Sequence, residues 1–304
     1  KVERGIDPME CVALGAAVMT ARAVVRDCYA PSEGARAMSK ALTGLGLVAC
    51  VSAPLGGLLA MLHWRATLSG VLLMGLLALA VIAWRFDETL PARRLDALRP
   101  AQLLGTWLSI LRHPRFLAFT LVASASNTAL FTYLGTSSFV LIRLHGLSQW
   151  AYGLCIATMS VSYVAGTFLC RRLLPRVGLQ RTMDVGAGLS LLAGLVLLGL
   201  FAAEVHTPWA IVLPANLFLF SHGLNQPCSQ NGAINPFPEA AGTASALNGF
   251  CMMMTSFAMG LWLGAHMDGS ARPLAQGLAF WTAVIALGAW VLVRRFAPTP
   301  HPAH

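Results

Sequence analysis

The residues able to do chemistry in this chain are few, and each sits in apolar sequence. Arg22 and Arg26 lie four apart in A-R-A-V-V-R-D, so on a helix they share a face, and Asp27 follows where it can pair with either. Such a trio can latch one conformation and release another, or Arg22 can reach past one turn to the aqueous surface. Farther on, Asn127, Thr128, Tyr133, Ser137 and Ser138 share one apolar stretch, and His222, Asn225, Gln226 and Asn231 share another. Amides and hydroxyls in these places bind a neighbouring helix or line a substrate cavity, and both readings stand. His222 titrates in the physiological range unless a hydrogen bond holds it neutral. Pro54, with Gly44, Gly46, Gly56 and Gly57, removes a helix hydrogen bond and clears one stripe of side chains. That stripe suits a rocking interface or ordinary small-residue packing.

No H-E-x-x-H, G-x-S-x-G or phosphate-binding glycine loop occurs, and the seven Cys form no C-x-x-C pair. Cys11, Cys50, Cys155, Cys170 and Cys251 fall in apolar runs, where a thiol behaves as a small apolar side chain. The expectation is therefore a protein that is not an enzyme, with no metal site and no cofactor.

The elements that must hold these residues are membrane helices. The chain has 304 residues, 57% hydrophobic and 11% charged, with apolar runs near 11–25, 41–62, 66–84, 116–142, 150–170, 183–203, 209–227, 240–265 and 274–293. Each is close to the roughly 20 residues that cross a bilayer. The net charge of +9 does not indicate nucleic acid, because Lys and Arg lie in the loops between runs. Arg26, Arg36, Lys40, the six Arg from Arg85 to Arg115, the four from Arg171 to Arg181, and Arg294 with Arg295 fall on one side. Lys1, Arg4, Arg65, Arg143 and Arg272 fall on the other, so the first side is expected to be cytoplasmic. Residues 85–115, polar and punctuated by Pro91, Pro100 and Pro114, read as a cytoplasmic linker. It separates a three-span unit, 1–84, from a six-helix bundle, 116–304.

Several segments together resemble one family: A-R-A-V-V-R-D at Ala21, A-P-L-G-G-L at Ala53, E-T-L-P at Glu88, S-S-F-V-L at Ser137, and the block from Gly223 through N-P-F-P-E to Gly249. The chain is similar to the bicyclomycin-resistance (Bcr/CflA) branch of the major facilitator superfamily, drug:proton antiporters with twelve helices. The resemblance implies an all-α polytopic fold in which the nine runs correspond to helices four to twelve, with three helices expected upstream. It also implies that Pro54, Gly56 and Gly57 stand in the antiporter signature of helix five.

The implied function is efflux of amphipathic drugs or metabolites in exchange for protons, by a monomer in the bacterial inner membrane whose partners are the substrate, protons and lipid. No Asp or Glu lies near the centre of a run, and the coupling carboxylate of such antiporters is expected in the first helix, outside this sequence. The family's R-x-x-Q-x-x-G pattern is also unmatched, Met9 and Val12 standing at its Arg and Gln positions before Gly15, and Cys170 stands near the acidic place of the eight-to-nine loop. The alternative is a non-transporting remnant, or a subunit that depends on a partner.

Overall fold

The computed structural model describes residues 48, 51–52, 54–85, 100–205, 207–237, 240–267 and 269–296. Arg22, Arg26 and Asp27, with the whole first run, lie outside the described residues, as does the linker stretch 86–99. Among the described residues there is no strand. The helices are α1 (54–62), α2 (Trp64–Arg85), α3 (Pro100–Leu111), α4 (Pro114–Ser138), α5 (Gln149–Ala202), α6 (Trp209–Ile234), α7 (Ala241–His266) and α8 (Arg272–Leu287). α4 runs on as a π-helical turn, Phe139–Leu144, and α8 as another, Gly288–Val293.

Local sequence explains the ends. Pro114 opens α4 and Pro273 opens α8 at positions where a missing N–H costs nothing. Ser148 caps α5 by accepting the Ala151 N–H at 3.2 Å. The 31 residues of α4 with its extension reach about 46 Å at 1.5 Å per residue, more than the roughly 30 Å hydrocarbon core, so this element tilts or protrudes.

The expected limits change in detail. The runs 150–170 and 183–203 form two helical arms of α5, joined just after Pro175 by a tight turn at which Gly178 takes φ 79°, ψ 174°. That conformation is open to glycine and strained for other residues. The run expected to stop at Pro227 continues to Ile234, carrying Pro214 and Pro227 inside the helix. His222 therefore sits near the middle of α6. Within the stretch read as linker, residues 100–111 form α3, whose Ile110 is buried.

Contacts between named residues fix the direction of each helix. Ser162 donates to Asn216 at 2.8 Å and Cys170 faces Cys228, so the first arm of α5 runs parallel to α6. In the second arm Ser190 meets Ser221, and Asn225 reaches back over Gly186, so this arm runs antiparallel to α6. The two arms thus form a hairpin. Ser126 pairs with His222 while Phe119 lies on Gly232, which makes α4 antiparallel to α6. Val122 lies on Gly288 and Thr132 on Gly277, which does the same for α4 and α8.

Five spans take their directions from these contacts. Their directions gather Arg112, Arg115, Arg171, Arg172, Arg176, Arg181, Arg294 and Arg295 at one end of the bundle and leave Arg143 and Arg272 at the other. At the basic end Arg294 Nη2 meets Asp184 Oδ2 at 2.9 Å, joining the start of the second α5 arm to the end of α8.

The packing is that of helices in lipid. α5 and α6 cross so closely that a Cβ on Gly166 would strike the Phe220 carbonyl, and one on Gly223 would stand 2.6 Å from the Tyr163 carbonyl. Small residues at such a crossing let backbones touch, which gains dispersion where no hydrophobic drive between helices exists. The core is filled by Phe116, Phe119, Tyr133, Phe218 and Leu278, all shielded. α2, in contrast, exposes Leu68, Val71, Leu72, Leu76 and Leu79 around its surface. A helix apolar on every side belongs against hydrocarbon.

Candidate functional site

α4 supplies the polar spine. Thr120, Ser124, Thr128, Thr132 and Thr136 recur every fourth residue on one buried face. Thr132 and Thr136 return their hydroxyls to the carbonyls of Thr128 and Thr132, at 2.8 and 2.7 Å. Back-bonding of this kind satisfies a hydroxyl without a second helix and tends to bend the first.

Around the spine, neighbouring helices complete separate small networks. Ser126 Oγ meets His222 Nδ1 at 2.7 Å, and the imidazole lies between the rings of Tyr163 and Phe218 at centroid distances of 5.7 and 5.9 Å. Asn127 donates to Ser256 Oγ at 3.1 Å, and Thr128 lies 3.2 Å from the same oxygen. Asn225 donates to Ser190 at 3.0 Å on the side of α6 that faces the second arm of α5. Tyr133 is fully buried with its hydroxyl unpartnered, one turn before Ser137, whose Oγ lies 3.0 Å from the Tyr152 hydroxyl.

The four residues read from sequence as possible cavity lining, Asn127, Tyr133, His222 and Asn225, are thus all buried but do not converge on one point. Asn127 faces α7, Tyr133 is on the side of α4 that turns toward α5, His222 bridges α4 and α6, and Asn225 faces the far side of α6. Asn127 comes nearest to open space, through Ser256.

Two clefts provide that space. One, about 320 Å³, lies between α4 and α7 and is lined by Phe131, Thr132, Gly135, Ser256, Met259 and Gly260. The other, about 410 Å³, lies between α1, α4 and α5 and is lined by Gly56, Gly57, Leu134, Gln149, Tyr152 and Gly153. Both walls are chiefly apolar, with Ser256 and the threonine hydroxyls in the first and Tyr152 and Gln149 in the second. Pro54 is half-buried in α1 just before this contact. A Cβ on Gly57 would come within 2.9 Å of the Gln149 carbonyl and 3.6 Å of Gly153 Cα, whereas one on Gly56 would meet nothing. Gly57 is therefore the contact and Gly56 the wall.

Sequence reading passed over Ser126, Tyr152, Asn248 and Ser256. A signal for the last two exists: Asn248, Met252 and Ser256 recur at fourfold spacing along α7, a polar stripe in an apolar helix. Gln226 and Asn248 both donate toward Met252 Sδ, at 3.8 and 3.7 Å, and their carbonyl oxygens have no protein partner.

An alternating bundle with a buried polar core and apolar clefts is the architecture of a polytopic membrane protein. Residues 11–261 match the profile described as Major Facilitator Superfamily, and the chain belongs to that superfamily. It is 22% identical over 281 residues to the bicyclomycin resistance protein homolog of Haemophilus influenzae, covering 92% of this chain and 70% of that protein. It is 29% identical over 253 residues to the chloramphenicol resistance protein of Pseudomonas aeruginosa, covering 82% and 58%. Multidrug resistance protein D of Escherichia coli is 28% identical over 243 residues, with 79% and 60% covered. The chain therefore spans between 58% and 70% of the length of these three relatives. Their names agree with the bicyclomycin-resistance resemblance read from the motifs.

Proposed function

We propose that this chain acts in a secondary transporter of the bacterial inner membrane that expels small amphipathic molecules in exchange for protons. The contact of Gly57 on Gln149 and Gly153, beside an apolar cleft, carries the reading. It joins a helix ahead of the linker to a helix behind it with almost no side chain between, so the two units can tilt about the line of contact while the cleft opens or closes. Apolar walls with few polar anchors suit ligands that differ in shape and share lipophilicity. The relatives named for resistance to bicyclomycin, chloramphenicol and several drugs support the same class of cargo.

In this reading Asn127 with Ser256, and Tyr152, supply the polar anchors. The His222–Ser126 pair holds the bundle in register. Arg22, Arg26 and Asp27 act as the latch at the cytoplasmic end of their helix, the working unit is a monomer, and the basic end faces the cytoplasm.

The test is accumulation of a fluorescent amphipathic cation in cells lacking other efflux pumps, with and without a protonophore. Expression of the protein should lower accumulation, and the protonophore should abolish the difference. Accumulation equal to that of the empty vector would end the proposal, and an effect insensitive to the protonophore would remove the proton from it.

A further inference from the structure

The thiols of Cys170 and Cys228 face each other across the α5–α6 crossing with Sγ to Sγ 3.6 Å, both side chains being buried and neither in a disulfide. Cys170 also lies 3.8 Å from the Leu224 carbonyl. Neither thiol takes part in the transport reading. Their separation decides what they can hold.

The thiols stand in van der Waals contact, and closing them to the roughly 2.05 Å of a disulfide takes side-chain rotation and an oxidant. A cation bound linearly by two thiolates, with arms of about 2.3 Å, requires roughly 4.6 Å, far wider. Two such arms meeting near a right angle, at roughly 100°, span about 3.5 Å, which matches the pair as it stands. An atom that makes pyramidal bonds to two sulfurs and brings its own third substituent fits without rearrangement. Tetrahedral metals need further ligands, and among the described residues no three of His, Cys, Asp and Glu cluster to supply them.

We propose that Cys170 and Cys228 form a two-thiol binding site for trivalent, singly substituted arsenicals. With phenylarsine oxide the As–O bond and two S–H bonds break, two As–S bonds form, one water leaves and arsenic stays trivalent. No oxidant or reductant is needed. Such reagents are neutral and lipophilic, so they reach a site in the membrane from either the bilayer or the cytosol.

Cys170 immediately precedes the exposed Arg171 and Arg172, which places the pair at the basic end of the bundle. Gly166 and Gly223 hold the backbones together one turn deeper. Reaction therefore proceeds when the end of the crossing loosens, and the adduct staples the first arm of α5 to α6.

The experiment treats the purified full chain in detergent with phenylarsine oxide, then challenges it with a monothiol or a dithiol. One arsenical per chain should persist against the monothiol and leave with the dithiol, and proteolysis should recover it bridging the peptides that hold Cys170 and Cys228. Cys170→Ala and Cys228→Ala should each release the reagent to monothiol roughly 100-fold faster, because the second bond is then no longer intramolecular. A Cys155→Ala, Cys251→Ala double variant should behave as the parent. A parent adduct lost to monothiol at the variants' rate, or bridging peptides that contain other cysteines, would overturn the proposal. Should either single variant fail to fold, the bridged peptides of the parent chain decide alone.

Discussion

At the scale of single residues, adjacent glycines do different work. Gly57 has a backbone carbonyl where its Cβ would be, and Gly56 has open cleft. Gly57→Ala should therefore reduce efflux about tenfold or more while the protein inserts normally, since an overpacked contact costs roughly 1–3 kcal/mol and falls on the moving interface. Gly56→Ala should lower efflux less than twofold. Transport rates normalised to membrane-inserted protein check both, and equal effects at the two positions would contradict the assignment.

His222 is fixed by the Ser126 hydroxyl and two aromatic rings. Truncation to Ala leaves a buried hydroxyl without its partner and a void, so His222→Ala should lower unfolding stability by about 1–3 kcal/mol. His222→Asn should recover part of that loss. A proton-carrying role would show the reverse pattern, with stability kept and proton coupling lost in both variants.

At the scale of elements, the turn within α5 rests on one residue. Gly178 has φ 79° and no neighbour within 4 Å of a hypothetical Cβ, so its constraint is backbone geometry and not crowding. Gly178→Ala should destabilise the bundle by about 1–3 kcal/mol through strain alone. Gly178→Asn should cost as much, because ψ 174° lies outside the left-handed helical well that Asn tolerates, in a region open essentially to glycine alone. Thermal unfolding in detergent, compared with Gly188→Ala as an unstrained helical control, measures it.

Much of this level was legible in the sequence. Among the described residues, the apolar runs from 66–84 to 274–293 all reappear as helices, because hydrophobic length is what a bilayer selects. The errors fell where polarity or proline replaced that signal. Pro227 and the amides around it suggested an end, yet the helix continues, with His222, Asn225 and Gln226 turned to side chains of α4, α5 and α7 rather than to water. The candidate cavity residues were recognisable as buried polar groups, as the apolar runs around them required. Their separate partners were not recognisable, because a helix face cannot be paired with a particular neighbour from one sequence.

At the scale of the whole molecule, the helix directions collect the basic residues at one end. A cysteine replacing Gly146, at the sparsely charged end, should react with a membrane-impermeant maleimide added to intact cells. One replacing Arg176 should react only after the cells are opened. Both are read in a chain whose native cysteines are replaced, and labelling of both positions in intact cells would contradict the orientation.

The same molecule exposes α2 on all sides while burying a polar spine in α4. Lipid or other helices must therefore cover the one and the bundle must enclose the other, since neither face can be left to water.

The hairpin of α5 has a consequence for how the protein is made. Its arms are joined through Pro175 and Gly178 with no slack between them, and the turn carries Arg171, Arg172, Arg176 and Arg181. Four guanidinium groups resist translocation, so the turn stays on the side of synthesis while the arms enter. Neither arm can settle alone, because the first seats on α6 and the second on α6 and α8, both made later. During biogenesis this stretch must wait beside the translocation channel as a paired unit until the ribosome has delivered the helices that close over it.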